Sequence, residues 1–176
     1  MTFELLHSET IYQGRAFAVR RDEVRLPDGK TAHLDIVAHH GAVTLVPVDE
    51  QGRIWFVRQY RHAAGELLLE LPAGTLEPDE APEACAAREV REEIGMAAGQ
   101  LRKLGESFLA PGYSTEYMHF FLATELQHAP LAHDADEFLN IEHMPIAQAY
   151  ELAHAGQIRD AKSLAALLLA RPYLQK

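Results

Sequence analysis

Glu89, Glu92 and Glu93 stand beside Arg88 in the stretch GTLEPDEAPEACAAREVREEIGM, which runs from Gly74 to Met96. On a helix, side chains at i, i+3 and i+4 share one side. The three carboxylates then make a compact set of oxygen donors, the kind that hard divalent cations take. A cation held there suits metal-assisted attack of water on a phosphate ester. An ExxEE fragment alone is more simply a solvated, charged helix face, so the residues around it decide its meaning.

Those carboxylates need a helix, and the local signals supply one. Pro78 and Asp79 belong to a loop, Asp79 or Glu80 is the expected N-cap, and Pro82 fits the first turn. The helix is expected to run to about Ile94, with Gly95 as the C′ residue. At about 100° per residue, Ala87, Val90 and Ile94 form the apolar stripe while the glutamates face elsewhere. Before it, AVTLVPV (42–48) reads as a buried strand, DEQG (49–52) as a turn, and RIWFVRQY (53–60) and LLLELPA (67–73) as further strands. Residues 1–40 read as a strand-rich extension with a turn at Pro27-Asp28-Gly29. After the acidic helix, YMHFFLATEL (117–126) and FLNIEHM (138–144) are expected strands around an acidic loop. Helices are expected over 146–155, ended by Gly156, and over 161–170, stopped before Pro172. An α/β fold with a mixed sheet and flanking helices follows.

Composition narrows the function classes. With 176 residues there is room for one full core and a small extension, not for two independent domains. A net charge of −10 makes the chain a poor partner for nucleic acid, whose binding needs Lys and Arg on phosphates. A small phosphate compound can still bind where a divalent metal and a few arginines invert the field. The single cysteine, Cys85, excludes an internal disulfide and sulfur-rich zinc sites and fits a reducing cytoplasm. No apolar run is long enough to span a membrane, and the N-terminus MTFELLHSET lacks the pattern of a signal peptide.

The spacing resembles the Nudix signature, G-x5-E-x7-R-E-U-x-E-E-x-G-U, where U is a bulky apolar residue. Gly74, Glu80, Arg88, Glu89, Val90, Glu92, Glu93, Gly95 and Met96 fill every specified position. Such a match arises by chance with odds on the order of one in a million. The resemblance implies a Nudix-type α/β/α sandwich and Mg²⁺ as cofactor, with Mn²⁺ as a substitute. It implies that Glu89 and Glu93, assisted by Glu92, hold the metal, with the carbonyl of Ala73 as a further ligand. Arg88 would fix the helix carboxylates, Glu80 would support them, and Gly74 would let the backbone approach the metal where a Cβ would obstruct it.

Pro111, fifteen residues beyond Met96, is similar to a marker of the subgroup that hydrolyses ADP-ribose and related nucleoside diphosphate sugars. RQYR (58–61), ELPAG (70–74) and DEF (136–138) resemble that subgroup too, so the similarity covers roughly residues 25 to 160. It implies Arg61 on the diphosphate, with Arg58 as a second candidate, through a guanidinium fork that suits phosphate oxygens. It implies Glu137 as general base or extra ligand, with Asp134 and Asp136 as flanking candidates. Leu34 and His39 stand near positions where relatives offer an aromatic ring and an arginine from a partner subunit, and Tyr113 or Tyr12 are alternative stacking residues. Glu70 is left open between a substrate and a structural role. The expected organisation is a dimerising extension over 1–40 and a Nudix domain over 41–176. The expected reaction is hydrolysis of ADP-ribose to AMP and ribose 5-phosphate in a cytoplasmic homodimer, free of nucleic acid and membrane. The alternatives are the same reaction on a GDP- or UDP-sugar, or a non-catalytic ADP-ribose sensor.

Overall fold

The computed structural model describes residues 2–132 and 138–174, so Glu137, Asp134 and Asp136 lie outside the described residues. The chain divides into two compact units, one of residues up to Gly41 with Ser107–Tyr117, the other of Ala42–Glu106 with Met118 onward.

In the first unit β1 (Glu4–Gln13), β2 (Ala18–Arg25) and β3 (Thr31–Ala38) form an antiparallel sheet in the order β1-β2-β3. The β2–β3 turn closes where expected: Gly29 donates to the Leu26 carbonyl at 2.9 Å and takes φ +84°, which a side chain would resist. β1 is exposed along its length, with Leu5 and Ile11 among its uncovered apolar residues. The downstream segment joins this unit through Val37, whose N–H reaches the Tyr113 carbonyl and whose carbonyl accepts from Thr115.

The second unit holds β4 (Ala42–Pro47), β5 (Arg53–Arg61), β6 (Glu66–Glu70), β7 (Ala73–Thr75), α1 (Pro82–Ile94), β10 (Leu139–Pro145), α2 (Ile146–His154) and α3 (Ala161–Leu174), with most of β8 (Met96–Phe108) and β9 (Tyr117–His128). One sheet has the order β7-β4-β9-β8 and is mixed, since β4 runs antiparallel to β7 and parallel to β9. The other, β10-β5-β6, is antiparallel. β4 is buried at every residue and packs against both α1 and α3, which is why its sequence is a continuous apolar run rather than an alternating one. Val43 and Leu45 of β4 meet Cys85, Ala86, Val90 and Ile94 of α1 in one core cluster with Phe121 and Ala123. The architecture is the expected α/β/α sandwich with a mixed sheet.

Three local expectations change. The N-cap of α1 is Ala81, not Asp79 or Glu80, and makes no side-chain cap bond. Pro82 at the helix start holds the preceding residue extended, at ψ 140°, while Asp79 bends the loop at φ 61°. The buried stripe of α1 is Cys85–Ala86–Val90–Ile94 with Glu89 and Glu93 beside it, and Ala87 is exposed. α3 continues past Pro172 to Leu174. The proline lies in an exposed last turn, where water can satisfy the one carbonyl left without its donor. β8 had no clear apolar alternation to announce it, and its place beside β9 supplies the pairing.

Candidate active site

The second unit gathers the signature residues around Arg88. Its Nε and Nη2 form a fork on Glu80, at 3.0 and 2.9 Å. Nη1 donates to both Glu89 and Glu92, at 2.6 and 2.8 Å. Nη2 also reaches the Thr75 carbonyl at 3.3 Å and the Cys85 sulfur at 3.3 Å. A planar fork with five donors is the side chain that can serve this many acceptors at once. Its hydrogen bonds to Glu80 chiefly, against some desolvation, raise the Arg88 guanidinium further above its ordinary value. The Glu80 carboxyl falls correspondingly, to about 2, through the Arg88 hydrogen bond first and the Glu77 N–H it accepts. Burial pushes the Cys85 thiol up, and the Glu89 charge adds to it. Cys85 is thus a small core residue and a poor nucleophile.

Two of the three helix carboxylates are deeply buried, Glu89 at 7% and Glu93 at 3% exposure. Ala73 donates its N–H to Glu93 at 3.0 Å, so β7 and α1 are stitched at the position where a backbone ligand was expected. Gly74 also makes room for a side chain. A Cβ at residue 74 would fall 1.8 Å from the Glu89 carboxyl carbon, so only a glycine leaves that carboxylate its place. Among the described residues, no three acidic, His or Cys side chains converge as a metal cage, and Glu89 and Glu92 share Arg88 Nη1. The donors fit a hard divalent cation in kind: several carboxylate oxygens, two of them buried, beside a cradle that only glycine leaves open.

Arg61 lies at the end of β5 and forms a fork on Glu70, with both bonds at 2.7 Å. Glu70 is 1% exposed, whereas the Arg61 side chain is 41% exposed. Burial works to raise the Glu70 carboxyl, yet the Arg61 hydrogen bond and the Lys162 charge outweigh it and hold it low. The Glu70 hydrogen bond raises Arg61, with the charges of Glu93 and Asp160 adding to it. Arg58 pairs diagonally across the strands with Glu142, at 2.5 and 3.2 Å. His39 and Pro111 belong to the first unit, where Pro111 is exposed. His39 lines a cleft of about 280 Å³ with Arg15, Phe17, Arg20, His40 and Thr115, and its Nδ1 accepts the Gly41 N–H at 3.0 Å.

Sequence reading missed Asp160, Lys162 and Ser163, which stand at the start of α3 and reach back to Glu70 and Leu71. Asp160 followed by an apolar run is an N-cap signal, but nothing in one dimension links Ser163 to Leu71, 92 residues earlier.

Comparison with known proteins identifies the family. A NUDIX domain matches residues 38–167, and a nucleoside diphosphate sugar hydrolase N-terminal domain matches residues 3–33. An ADP-ribose pyrophosphatase of Mycobacterium tuberculosis (strain ATCC 25618 / H37Rv) is 41% identical over 94% of this chain and 82% of its own length. One of Bacillus subtilis (strain 168) is 35% identical over 90% of this chain and 87% of its own. The crystal structure of an ADP compounds hydrolase superposes with a TM-score of 0.87 at 25% identity, covering 99% of this chain and 95% of that one. Members of the family generally use divalent metal cations. With the signature complete on α1 and its flanking strand, and the domain match spanning most of its length, the chain belongs to the Nudix family of hydrolases.

Proposed function

We propose that this enzyme hydrolyses the diphosphate bond of ADP-ribose to AMP and ribose 5-phosphate, with Mg²⁺ as its cofactor and Mn²⁺ as a substitute. The observation that carries the reading is the site's construction: Glu89 and Glu93 buried beside Gly74, with Arg88 tied to Glu80, Glu89 and Glu92. The curated relatives named for ADP-ribose pyrophosphatase activity support the choice of substrate. Glu89 and Glu93, with Glu92 and the Ala73 carbonyl, would hold the metal. Bound there, the divalent cation supplies charge for the diphosphate oxygens and a lower pKa for water.

The chain's own residues do the rest. Arg88 keeps the helix carboxylates in their rotamers and limits their mutual repulsion. The Arg61 side chain is 41% exposed and keeps Nη1 outside its fork on Glu70, so a diphosphate oxygen could accept from it. Arg58 is a second candidate for that contact and would have to leave Glu142 to make it. Glu137, or Asp134 or Asp136 beside it, would take the proton as water oxygen bonds to phosphorus and the bridging P–O bond breaks. His39 and Pro111 are kept as substrate-binding candidates. We also propose that residues 1–40 form a dimerising extension to a hydrolase domain over 41–176, and that the homodimer works in the cytoplasm on small molecules rather than on nucleic acid or membranes. No helix among the described residues is long and apolar enough to cross a membrane.

Purified protein with Mg²⁺ should release AMP from ADP-ribose, and Glu93→Gln should lower that rate by at least about a hundredfold. Binding of ADP-ribose without turnover in either Mg²⁺ or Mn²⁺ would replace the enzyme with a sensor. Faster turnover of GDP- or UDP-sugars would move the substrate within the same chemistry.

A further inference from the structure

Glu70, buried at the end of β6, is held from two directions. Arg61 grips it from β5 with both arms of its fork. From the start of α3, Lys162 contacts the same Glu70 Oε2 that receives Arg61 Nη2. Lys162 is itself held by Asp160 at 2.9 Å. Asp160 caps α3 by accepting the Ser163 N–H at 3.1 Å and the Ser163 hydroxyl at 2.5 Å. The Ser163 oxygen in turn accepts the N–H of Leu71, the residue after Glu70, at 2.7 Å. Arg159, one residue before the cap, pairs with Glu66 at the other end of β6.

The charges in this chain of contacts balance: Arg61 and Lys162 against Glu70 and Asp160. With one oxygen of Glu70 shared between two cations, Arg61 has a single favourable pose, its Nε and Nη2 facing inward. Nη1 is left outside both bonds to Glu70. Without Lys162 the Glu70 carboxylate would be free to turn in its pocket, and the Arg61 fork would turn with it. The same anchor pins Leu71, two residues before Ala73, whose N–H holds Glu93.

We propose that Lys162, acting through Glu70, is a positioning residue for Arg61, so that the start of α3 sets the pose of the arginine that meets the substrate's diphosphate. This rests on the proposed hydrolysis of ADP-ribose. Lys162 is 12% exposed and engaged with two carboxylates, so it acts on the arginine and not on the substrate itself.

Steady-state kinetics on the full-length chain with Mg²⁺ and ADP-ribose test it. Lys162→Met should raise KM about tenfold, the worth of one charge-assisted hydrogen bond in binding, with kcat changed less than about threefold. Lys162→Arg should restore most of the loss. Combined with Arg61→Ala, Lys162→Met should add nothing, because both changes remove the same contact. Additive losses in the double variant, or a Lys162→Met KM within about twofold of wild type, overturn the positioning role while leaving the hydrolase intact. A wild-type chain that does not cleave ADP-ribose overturns the function itself and is read before any variant. Should Lys162→Met fail to fold, Asp160→Asn, which loosens the ammonium yet keeps a capping side chain, carries the same cycle with the same outcomes.

Discussion

Arg88 is the residue on which the acidic helix is assembled, and Glu80 is its firmest partner. Glu80 lies in the loop before α1, eight residues ahead of the arginine, and its side chain is 14% exposed. Its carboxyl is held at about 2, below the ordinary carboxylate value of 4.5, because the folded state favours the charged form. The stabilisation this carries is complete above about pH 4.5 and is lost as pH falls toward 2. Glu80→Gln should therefore cost about 1.5–3 kcal/mol at neutral pH. The gap between wild type and variant should close on acidification through that window, as urea unfolding at stepped pH would show. A constant gap from pH 7 to pH 2 would mean that Glu80 acts by packing rather than by charge. Activity should fall less than in Glu93→Gln, since Arg88 retains Glu89 and Glu92.

At the scale of elements, the site is the meeting of a three-residue strand with one face of a helix. β7 pairs with β4 at Val43–Gly74 and lies under α1, whose Glu89 carboxyl fills the space a side chain at residue 74 would need. The clash that a methyl group would create is with the tip of a flexible side chain, so the fold has an inexpensive way out. Gly74→Ala should fold with a loss of about 1–2 kcal/mol, mainly from displacing Glu89 off Arg88. Catalysis should fall about a hundredfold, because the displaced carboxylate is a proposed metal ligand. Thermal melts beside activity assays separate the two. Equal, small losses in both would show that Glu89 can move without consequence. The apolar stripe of α1 serves the same purpose from behind, since Cys85, Ala86, Val90 and Ile94 lock the helix onto β4 and fix which way its carboxylates face.

For the whole molecule, the two compact units differ in how well they cover their apolar surface. β4 is buried at every residue, whereas β1 is exposed along all ten, with Leu5 59% and Ile11 50% exposed. A long uncovered strand with apolar residues is a ready surface for another chain. A second copy is the occupant proposed here. Sedimentation velocity at micromolar concentration should show a dimer, and charging the strand with Leu5→Glu and Ile11→Glu should shift it toward monomer. A wild-type monomer across that range would remove the dimerising role from residues 1–40. The α3 anchor also belongs to this scale, since it ties a strand to a helix about ninety residues away.

The register of Gly74, Glu80, Arg88, Glu89, Glu92, Glu93 and Gly95 determined the family and the kind of chemistry by itself, because helix periodicity turns linear spacing into a shared face. The buried strand 42–47 and the turn at Gly29 were legible because continuous burial and a positive φ each leave a local mark in composition. The tertiary structure alone decided the rest. Ala81 became the N-cap because Pro82 constrains its neighbour, and Ala87 turned outward once Cys85 and Ala86 met β4. Glu70, open between two roles in the sequence, proved to be the buried link between Arg61 and Lys162. Contacts over such separations depend on how sheets and helices stack, and short-range patterns carry no record of that stacking.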